Sequence, residues 1–190
     1  KLKEYNKKLK IFLDLKFHDI PNTVVQALHS SILNVNPYML TLHASGGSKM
    51  LESAVNLLVK LENEEGIRKP MVLAVTVLTS LNDSDMLALG WKDKVLEQVL
   101  SYAQIAVDSG CDGLVCSAKE ANYLREKFGN SLVLVTPGIR PENNDRYDQK
   151  RVVTPKEAIN LCADYLVIGR PITQSIDPEK EVKNIVNSII

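Results

Sequence analysis

The chain has 190 residues, of which 45% are hydrophobic and 24% charged, a balance typical of one globular domain. Lysine plus arginine and aspartate plus glutamate both number 23, so neither a basic surface for nucleic acid nor an acidic disordered block is indicated. No apolar run reaches the roughly 20 residues of a membrane span, and the charged residues 1–10 are unlike a signal peptide. We therefore expect a cytoplasmic domain that acts on small molecules.

Apolar periodicity predicts strands and helices in alternation along the chain. Residues 3–10 have the spacing of the last turns of an amphipathic helix. Predicted strands cover 11–15, 39–43, 71–78, 113–116, 132–135 and 165–168, and predicted helices cover 22–33, 49–61, 92–108 and 118–128. Capping boxes are predicted at Ser117 with Glu120 and at Thr154 with Glu157, and a last helix is predicted after Asp177.

The predicted elements favour an α/β fold with a parallel sheet, because strands such as 72–75 are apolar on both faces. No glycine-rich dinucleotide fingerprint follows a strand, whereas polar clusters do, which favours a (β/α)8 TIM barrel over a doubly wound sheet. Such a barrel has eight strand and helix units and typically about 250 residues. The six predicted units therefore indicate a single domain, 1–190, that lacks its first two units.

The end of the first predicted strand carries two carboxylates and an ammonium group, at Asp14, Lys16 and Asp19. Strand alternation places Leu15 toward the helices, and Asp14 and Lys16 toward the barrel interior. A barrel strand has no solvated face, and charges rarely enter a buried sheet without a partner or a task. Asp14 and Lys16 are therefore predicted to be functional, while Asn22 is expected to cap the following helix.

Other polar positions allow two interpretations each. Residues 43–47, with the sequence H-A-S-G-G, either present backbone amides to an anion or form a small-residue helix entry. The hydroxyls after the third strand, including that of Thr79, either bind a planar ligand or belong to an ordinary turn. The cysteines are predicted to be buried apolar residues rather than nucleophiles, zinc ligands or disulfide partners: Cys111, Cys116 and Cys162.

The loops after the last two strands are candidates for binding phosphate. Barrels commonly bind phosphate at the loops after strands seven and eight. Here these loops contain Arg140, Gln149, Gly169 and Arg170, and arginine is well suited to a phosphate group. The first of these loops is also long for a plain connection, which is typical of functional loops.

Four stretches occur in order over essentially the whole chain: LDLKFHDIPNT at 13–23, VTVLTS at 75–80, VTPGIRP at 135–141 and IGRP at 168–171. Together they resemble the bacterial orotidine 5′-phosphate decarboxylase family. The D-x-K-x-x-D pattern alone is also found in related sugar-phosphate enzymes, such as hexulose-phosphate synthase, so the combination carries the resemblance. It implies a TIM barrel that decarboxylates orotidine 5′-phosphate to uridine 5′-phosphate, in pyrimidine biosynthesis, without a metal or any other cofactor.

The resemblance also implies roles for individual residues. Lys16 is the general acid that protonates C6 of the pyrimidine, and Asp14 lies beside the departing carboxylate. The family is a homodimer with shared active sites, so Asp19 is expected to act in the neighbouring subunit's site. Gln149 is expected to lie on a closing lid. The positions that match substrate-binding residues are Ile20, Thr23, Thr79, Pro137, Arg140, Gln149, Gly169 and Arg170.

Two alternatives and one departure from the family accompany this interpretation. The family's ribose-binding aspartate on the first strand and lysine on the second have no counterpart here, so the 190-residue polypeptide alone is expected to be inactive. One alternative is a sugar-phosphate aldolase or decarboxylase with a divalent metal near Asp14 and Asp19. The other is a nucleotide-phosphate-binding remnant without activity.

Overall fold

The chain divides into two compact units. Unit 1 comprises Lys1–Val75 and Gln104–Gly113, and unit 2 comprises Thr76–Ala103 and Leu114–Ile190. The computed structural model describes residues 9–141 and 152–190. Gln149 and most of the helix predicted over 3–10 lie outside these residues. Within them, no helix combines the length and the apolar character that crossing a membrane requires.

Unit 1 contains three parallel strands that are neighbours in chain order: β1 (Phe12–Phe17), β2 (Met39–His43) and β3 (Met71–Val75). Helices α1 (Pro21–Val35) and α2 (Ser48–Glu65) follow β1 and β2, and each buries one aliphatic stripe. A 3-10 turn, Ala44–Gly46, precedes α2, so the small residues after β2 do form a helix entry. The predicted parallel pairing is confirmed for these strands.

Unit 2 continues the alternation of strands and helices. Its helices are α3 (Asp83–Ala88), α4 (Val95–Asp108, which ends in unit 1), α5 (Ala118–Phe128), α6 (Pro155–Asn160), α7 (Arg170–Thr173) and α8 (Pro178–Ile189). Strands β4 (Gly113–Val115), β5 (Val133–Thr136) and β6 (Tyr165–Leu166) are neighbours in this order, and β5 pairs with β6 in parallel. Both predicted capping boxes are present, and the Asp177 side chain caps α8.

The differences from the predicted elements lie at element ends and in short segments. Helix α2 ends at Glu65 instead of 61, and α4 begins at Val95 instead of 92. Strand β3 ends at Val75, three residues before the predicted end, and β6 has only two residues. Helices α3 and α7 were not predicted, because six and four residues contain too few turns for an apolar period. Each depends on its flanking residues, and α3 begins at a capping box formed by Asn82 and Asp85.

Two cysteines are buried as predicted, and the third is not. Cys111 and Cys116 are 8% and 1% exposed, and burial raises the pKa of the Cys111 thiol to about 12, with the neighbouring Asp112 carboxylate adding to the effect. A thiol with that pKa is a poor nucleophile at neutral pH. The prediction is wrong for Cys162, which is exposed and has a φ of 66° in the turn after α6.

In each unit, an aspartate immediately before a strand makes the same pair of hydrogen bonds with the main chain of another residue. In unit 1, the N–H of Asp112 donates to the Val72 carbonyl at 2.9 Å, and its Oδ2 accepts the Val72 N–H at 2.8 Å. In unit 2, Asp164 makes the same pair of bonds with Leu134, at 2.9 and 2.7 Å. The sequences around the two aspartates are similar, C-D-G-L-V and A-D-Y-L-V, in agreement with this repeated arrangement.

Arg125 completes the arrangement in unit 2. Its Nη1 donates to the carbonyls of Gly129 and Leu132 at 3.1 and 2.7 Å. Its Nη2 donates to the Cys162 carbonyl at 3.0 Å and to Asp164 Oδ2 at 2.9 Å. The Arg125 side chain is only 13% exposed, so one guanidinium satisfies three carbonyls and a carboxylate in a largely buried place.

We expect Arg125→Ala to lower the free energy of unfolding by about 3 kcal/mol, because it leaves those acceptors without their donor. Urea-induced unfolding followed by circular dichroism measures the change. The matched control is Lys183→Ala, which breaks an ion pair with Glu179 on the exposed face of α8 and is expected to change stability by less than about 0.5 kcal/mol. Equal losses in the two variants would contradict a special role for Arg125.

Candidate active site

The carboxyl end of β1 departs from regular strand geometry. Leu13 pairs with Leu40 and Phe17 with Leu42, so β1 advances four residues while β2 advances two. Within this irregular segment Lys16 has a φ of 50°, in the left-handed region that lysine rarely adopts. The predicted alternation is therefore wrong at Leu15, which is 59% exposed instead of packed against the helices.

In the irregular segment, the predicted functional residues Asp14 and Lys16 form an ion pair. Lys16 Nζ lies 2.7 Å from Asp14 Oδ2, and the two side chains are 39% and 37% exposed, so more than half of each is covered. The hydroxyl of Thr41 donates to Asp14 Oδ1 at 2.9 Å and accepts the backbone N–H of Lys16 at 2.8 Å. Sequence reasoning missed Thr41, for which the signal was a hydroxyl inside the otherwise apolar start of β2, M-L-T-L.

Two histidines follow the same strand ends. The rings of His18 and His43 stack with their centroids 5.3 Å apart. The hydroxyl of Ser45 lies 2.7 Å from His43 Nδ1 and 3.4 Å from His18 Nε2. Burial lowers the pKa of His43, and the nearby His18 and Lys16 lower it further, so this imidazole is neutral at pH 7.

The lowered pKa of His43 makes stability depend on pH. The unfolded chain, with the ordinary value of 6.5, binds this proton more readily than the folded chain does. The contribution of His43 is thus present above that value and is lost as the pH falls below it. We expect His43→Asn to reduce the loss of unfolding free energy between pH 7 and pH 5, measured by urea titration, whereas His29→Asn on α1 retains it. Identical slopes in both variants would exclude His43 as the source.

The residues after β1 lie on the surface of unit 1. Asp19, Ile20 and Thr23 are exposed, and Ile20 has 66% of its surface accessible. Asp19 Oδ1 accepts the N–H of Ile20 at 2.6 Å, and α1 begins at Pro21 with Ile20 as the N-cap residue. The expectation that Asn22 caps this helix is wrong, because Pro21 starts the helix one residue earlier and places Asn22 inside its first turn.

The remaining predicted site residues lie after strands in unit 2. Thr79 and Pro137 are half-buried, in the turn before α3 and directly after β5. Arg140 is 7% exposed, its Nη1 donates to the Ile139 carbonyl at 2.8 Å, and its N–H donates to the Val153 carbonyl at 2.9 Å. Gly169 is the exposed N-cap residue of α7 and Arg170 is the half-buried first residue of that helix.

Comparisons with known proteins agree with the four sequence stretches. The family described as orotidine 5′-phosphate decarboxylase / HUMPS matches residues 1–185. An orotidine 5′-phosphate decarboxylase of Actinobacillus pleuropneumoniae serotype 5b is 48% identical over 185 residues, which are 97% of this chain and 78% of that protein. A protein of the same name from Coxiella burnetii (strain RSA 331 / Henzerling II) is 49% identical over 176 residues, which are 93% of this chain and 73% of the relative.

Solved structures lead to the same family. The crystal structure of orotidine 5′-phosphate decarboxylase from Lactobacillus acidophilus is similar with a TM-score of 0.81 and 39% identity, covering 98% of this chain and 78% of that one. An uncharacterized conserved protein from Geobacillus kaustophilus is similar with a TM-score of 0.78 and 38% identity, covering 95% and 76%. These likenesses confirm the α/β, TIM-barrel class of fold. The chain therefore belongs to the orotidine 5′-phosphate decarboxylase / HUMPS family.

Proposed function

We propose that this protein is a carboxy-lyase that converts orotidine 5′-phosphate to uridine 5′-phosphate in pyrimidine biosynthesis. The observation that carries the proposal is the Asp14–Lys16 ion pair of 2.7 Å at the end of β1, within the stretch 13–23 that resembles the family. The identity of about half of all residues to proteins named as this enzyme supports it.

The ion pair supplies the groups that a decarboxylation without a cofactor requires. The bond from C6 of the pyrimidine to the carboxylate carbon breaks, carbon dioxide leaves, and the electron pair stays on C6. Lys16 then donates a proton from Nζ to C6, which forms the C–H bond of the product. Asp14 lies beside the departing carboxylate and orients the lysine through the 2.7 Å contact with its Nζ. The negative charge of Asp14 opposes that of the substrate carboxylate, and the positive charge of Lys16 stabilises the negative charge that develops on C6 in the transition state. Both charges therefore act on the chemical step.

The phosphate end of the substrate is assigned to residues of unit 2. Arg140, Gly169 and Arg170 match the family's phosphate-binding positions, as does Gln149, which lies outside the described residues. The half-buried Arg170 begins α7, and a Cβ placed on Gly169 would meet no atom of the described residues within 4 Å. Thr79 and Pro137 are assigned to the pyrimidine. Binding energy from the remote phosphate helps to order the reacting groups.

The enzyme is further proposed to be a cytoplasmic homodimer with shared active sites. Asp19, Ile20 and Thr23 would then contribute to the site of the neighbouring subunit. Their exposure at the start of α1 supports this assignment, since a 66% exposed isoleucine next to an exposed carboxylate fits a surface that another subunit covers.

Incubating the intact gene product with orotidine 5′-phosphate in metal-free buffer and following pyrimidine absorbance tests the function. Turnover that is insensitive to chelator is expected, and absence of turnover would overturn the proposal. Binding of uridine 5′-phosphate without turnover by the intact protein would favour the non-enzymatic alternative.

A sugar-phosphate aldolase or decarboxylase is the second candidate, since the matched family also includes HUMPS proteins. That reaction class would place a divalent metal at the region of Asp14 and Asp19. Both oxygens of Asp14 already accept hydrogen bonds, from Thr41 and from Lys16, so a metal ion would have to displace one of them. Activity on a sugar phosphate that is abolished by chelator would favour this candidate.

A further inference from the structure

The hydroxyl of Thr41 both accepts and donates a hydrogen bond, and it thereby connects the backbone of Lys16 with the carboxylate of Asp14. It lies on β2, opposite the irregular part of β1, and is completely buried. Its Oγ1 accepts the backbone N–H of Lys16 at 2.8 Å and donates its proton to Asp14 Oδ1 at 2.9 Å. Lys16 Nζ contacts the other oxygen of Asp14 at 2.7 Å. The three residues therefore form a closed ring of hydrogen bonds.

We infer that Thr41 is a positioning residue for the decarboxylation, an inference that rests on the proposed function of the Asp14–Lys16 pair. Thr41 does not react. It holds the carboxylate plane of Asp14 and the left-handed backbone of Lys16 in the conformation that presents the ammonium to the substrate.

The backbone of Lys16 shows why such a residue is needed. A lysine in the left-handed region is unfavourable by itself, because its Cβ approaches the following carbonyl too closely. Its N–H is bonded to the Thr41 hydroxyl, where a regular strand offers a backbone carbonyl. The carboxylate of Asp14 could by itself take several orientations, because the torsion that rotates a carboxylate has only a broad preference. Bonds to both carboxylate oxygens remove that rotation.

Two other buried threonines, Thr76 directly after β3 and Thr136 at the end of β5, do not share this arrangement. Thr76 and Thr136 are also completely buried. Their hydroxyls donate to main-chain carbonyls, Thr76 to that of Val115 at 3.0 Å and Thr136 to that of Tyr165 at 3.2 Å. Those bonds satisfy a buried hydroxyl and support the sheet. The Thr41 hydroxyl instead donates to a carboxylate of the candidate active site, so its loss disturbs charges rather than only packing.

Steady-state kinetics of the intact gene product test the inference. We expect Thr41→Val to lower kcat by about 10- to 100-fold, because small displacements of reacting groups have effects of that size. The KM and the affinity for uridine 5′-phosphate are expected to stay within about threefold, since Thr41 is buried behind the pair. Thr41→Ser, which keeps the hydroxyl, is expected to retain kcat within about threefold. Thr76→Val removes an equally buried hydroxyl and serves as the matched control for stability.

A second measurement does not depend on turnover. Amide hydrogen exchange at Lys16 is expected to be slow in the parent protein and in Thr41→Ser, and at least about tenfold faster in Thr41→Val. Unchanged kcat in Thr41→Val, or a Lys16 amide that remains protected there, would overturn the inference. If the parent protein does not decarboxylate orotidine 5′-phosphate, the proposed function fails. The exchange rates then still decide whether Thr41 holds Lys16. Should Thr41→Val not fold, Thr41→Cys, which retains only a weak donor, replaces it with the same expected direction.

Discussion

Lys16→Ala is expected to lower kcat of the intact decarboxylase by at least about 1,000-fold, while its affinity for uridine 5′-phosphate stays within about tenfold. In the proposed mechanism, the Lys16 ammonium group meets developing negative charge on C6 only as carbon dioxide leaves. Its contribution is therefore greatest in the transition state and small in the product complex. Single-turnover decarboxylation and a separate titration with uridine 5′-phosphate measure the two quantities.

Lys60→Ala is the matched control for the loss of a lysine. Lys60 lies on α2, with 64% of its side chain exposed and a loose i,i+4 contact to Glu64 at 3.7 Å. Its removal is expected to change neither kcat nor product affinity. If Lys16→Ala weakened product binding as much as it slowed turnover, Lys16 would be a binding residue and not the proton donor.

Mixing two inactive variants is expected to restore activity. In a homodimer with shared sites, Lys16→Ala and Asp19→Ala each remove an essential group from every site. A mixed dimer contains one site with both substitutions and one site with neither, because Lys16 and Asp19 of a given site come from different subunits. Random exchange of subunits makes half of the dimers mixed, so activity is expected to recover to about a quarter of that of the parent protein.

The controls for the mixing experiment are each variant alone and a mixture made without subunit exchange. Both are expected to remain at the activity of the single variants. Recovery after co-refolding would support the proposal that Asp19 crosses the subunit interface. Absence of recovery, with mixed dimers demonstrated by a size tag on one variant, would place Asp19 and Lys16 in the same subunit's site.

Much of the fold follows from local sequence signals. Strand β2 and helix α5 have the predicted bounds, 39–43 and 118–128, because each combines a clear apolar period with a distinct start and stop. The capping boxes at Ser117 and Thr154 were predictable since they need only residues three positions apart. Short helices such as α7 were not predictable, because four residues contain barely one turn.

The sequence by itself determined the class of fold and singled out Asp14 and Lys16 as the candidate reacting pair. Apolar periods of two kinds impose alternating strands and helices, and a carboxylate and an ammonium at a strand end are rare enough to be noticed without a structure. Only the tertiary structure decided how that pair is held. The pairing of β1 with β2 decides the left-handed backbone of Lys16, the exposure of Leu15 and the hydrogen bonds of the Thr41 hydroxyl. These hydrogen bonds join residues that are 25 or more positions apart in sequence. Strand periodicity describes one strand at a time, so it could not reveal a segment whose geometry depends on its neighbour.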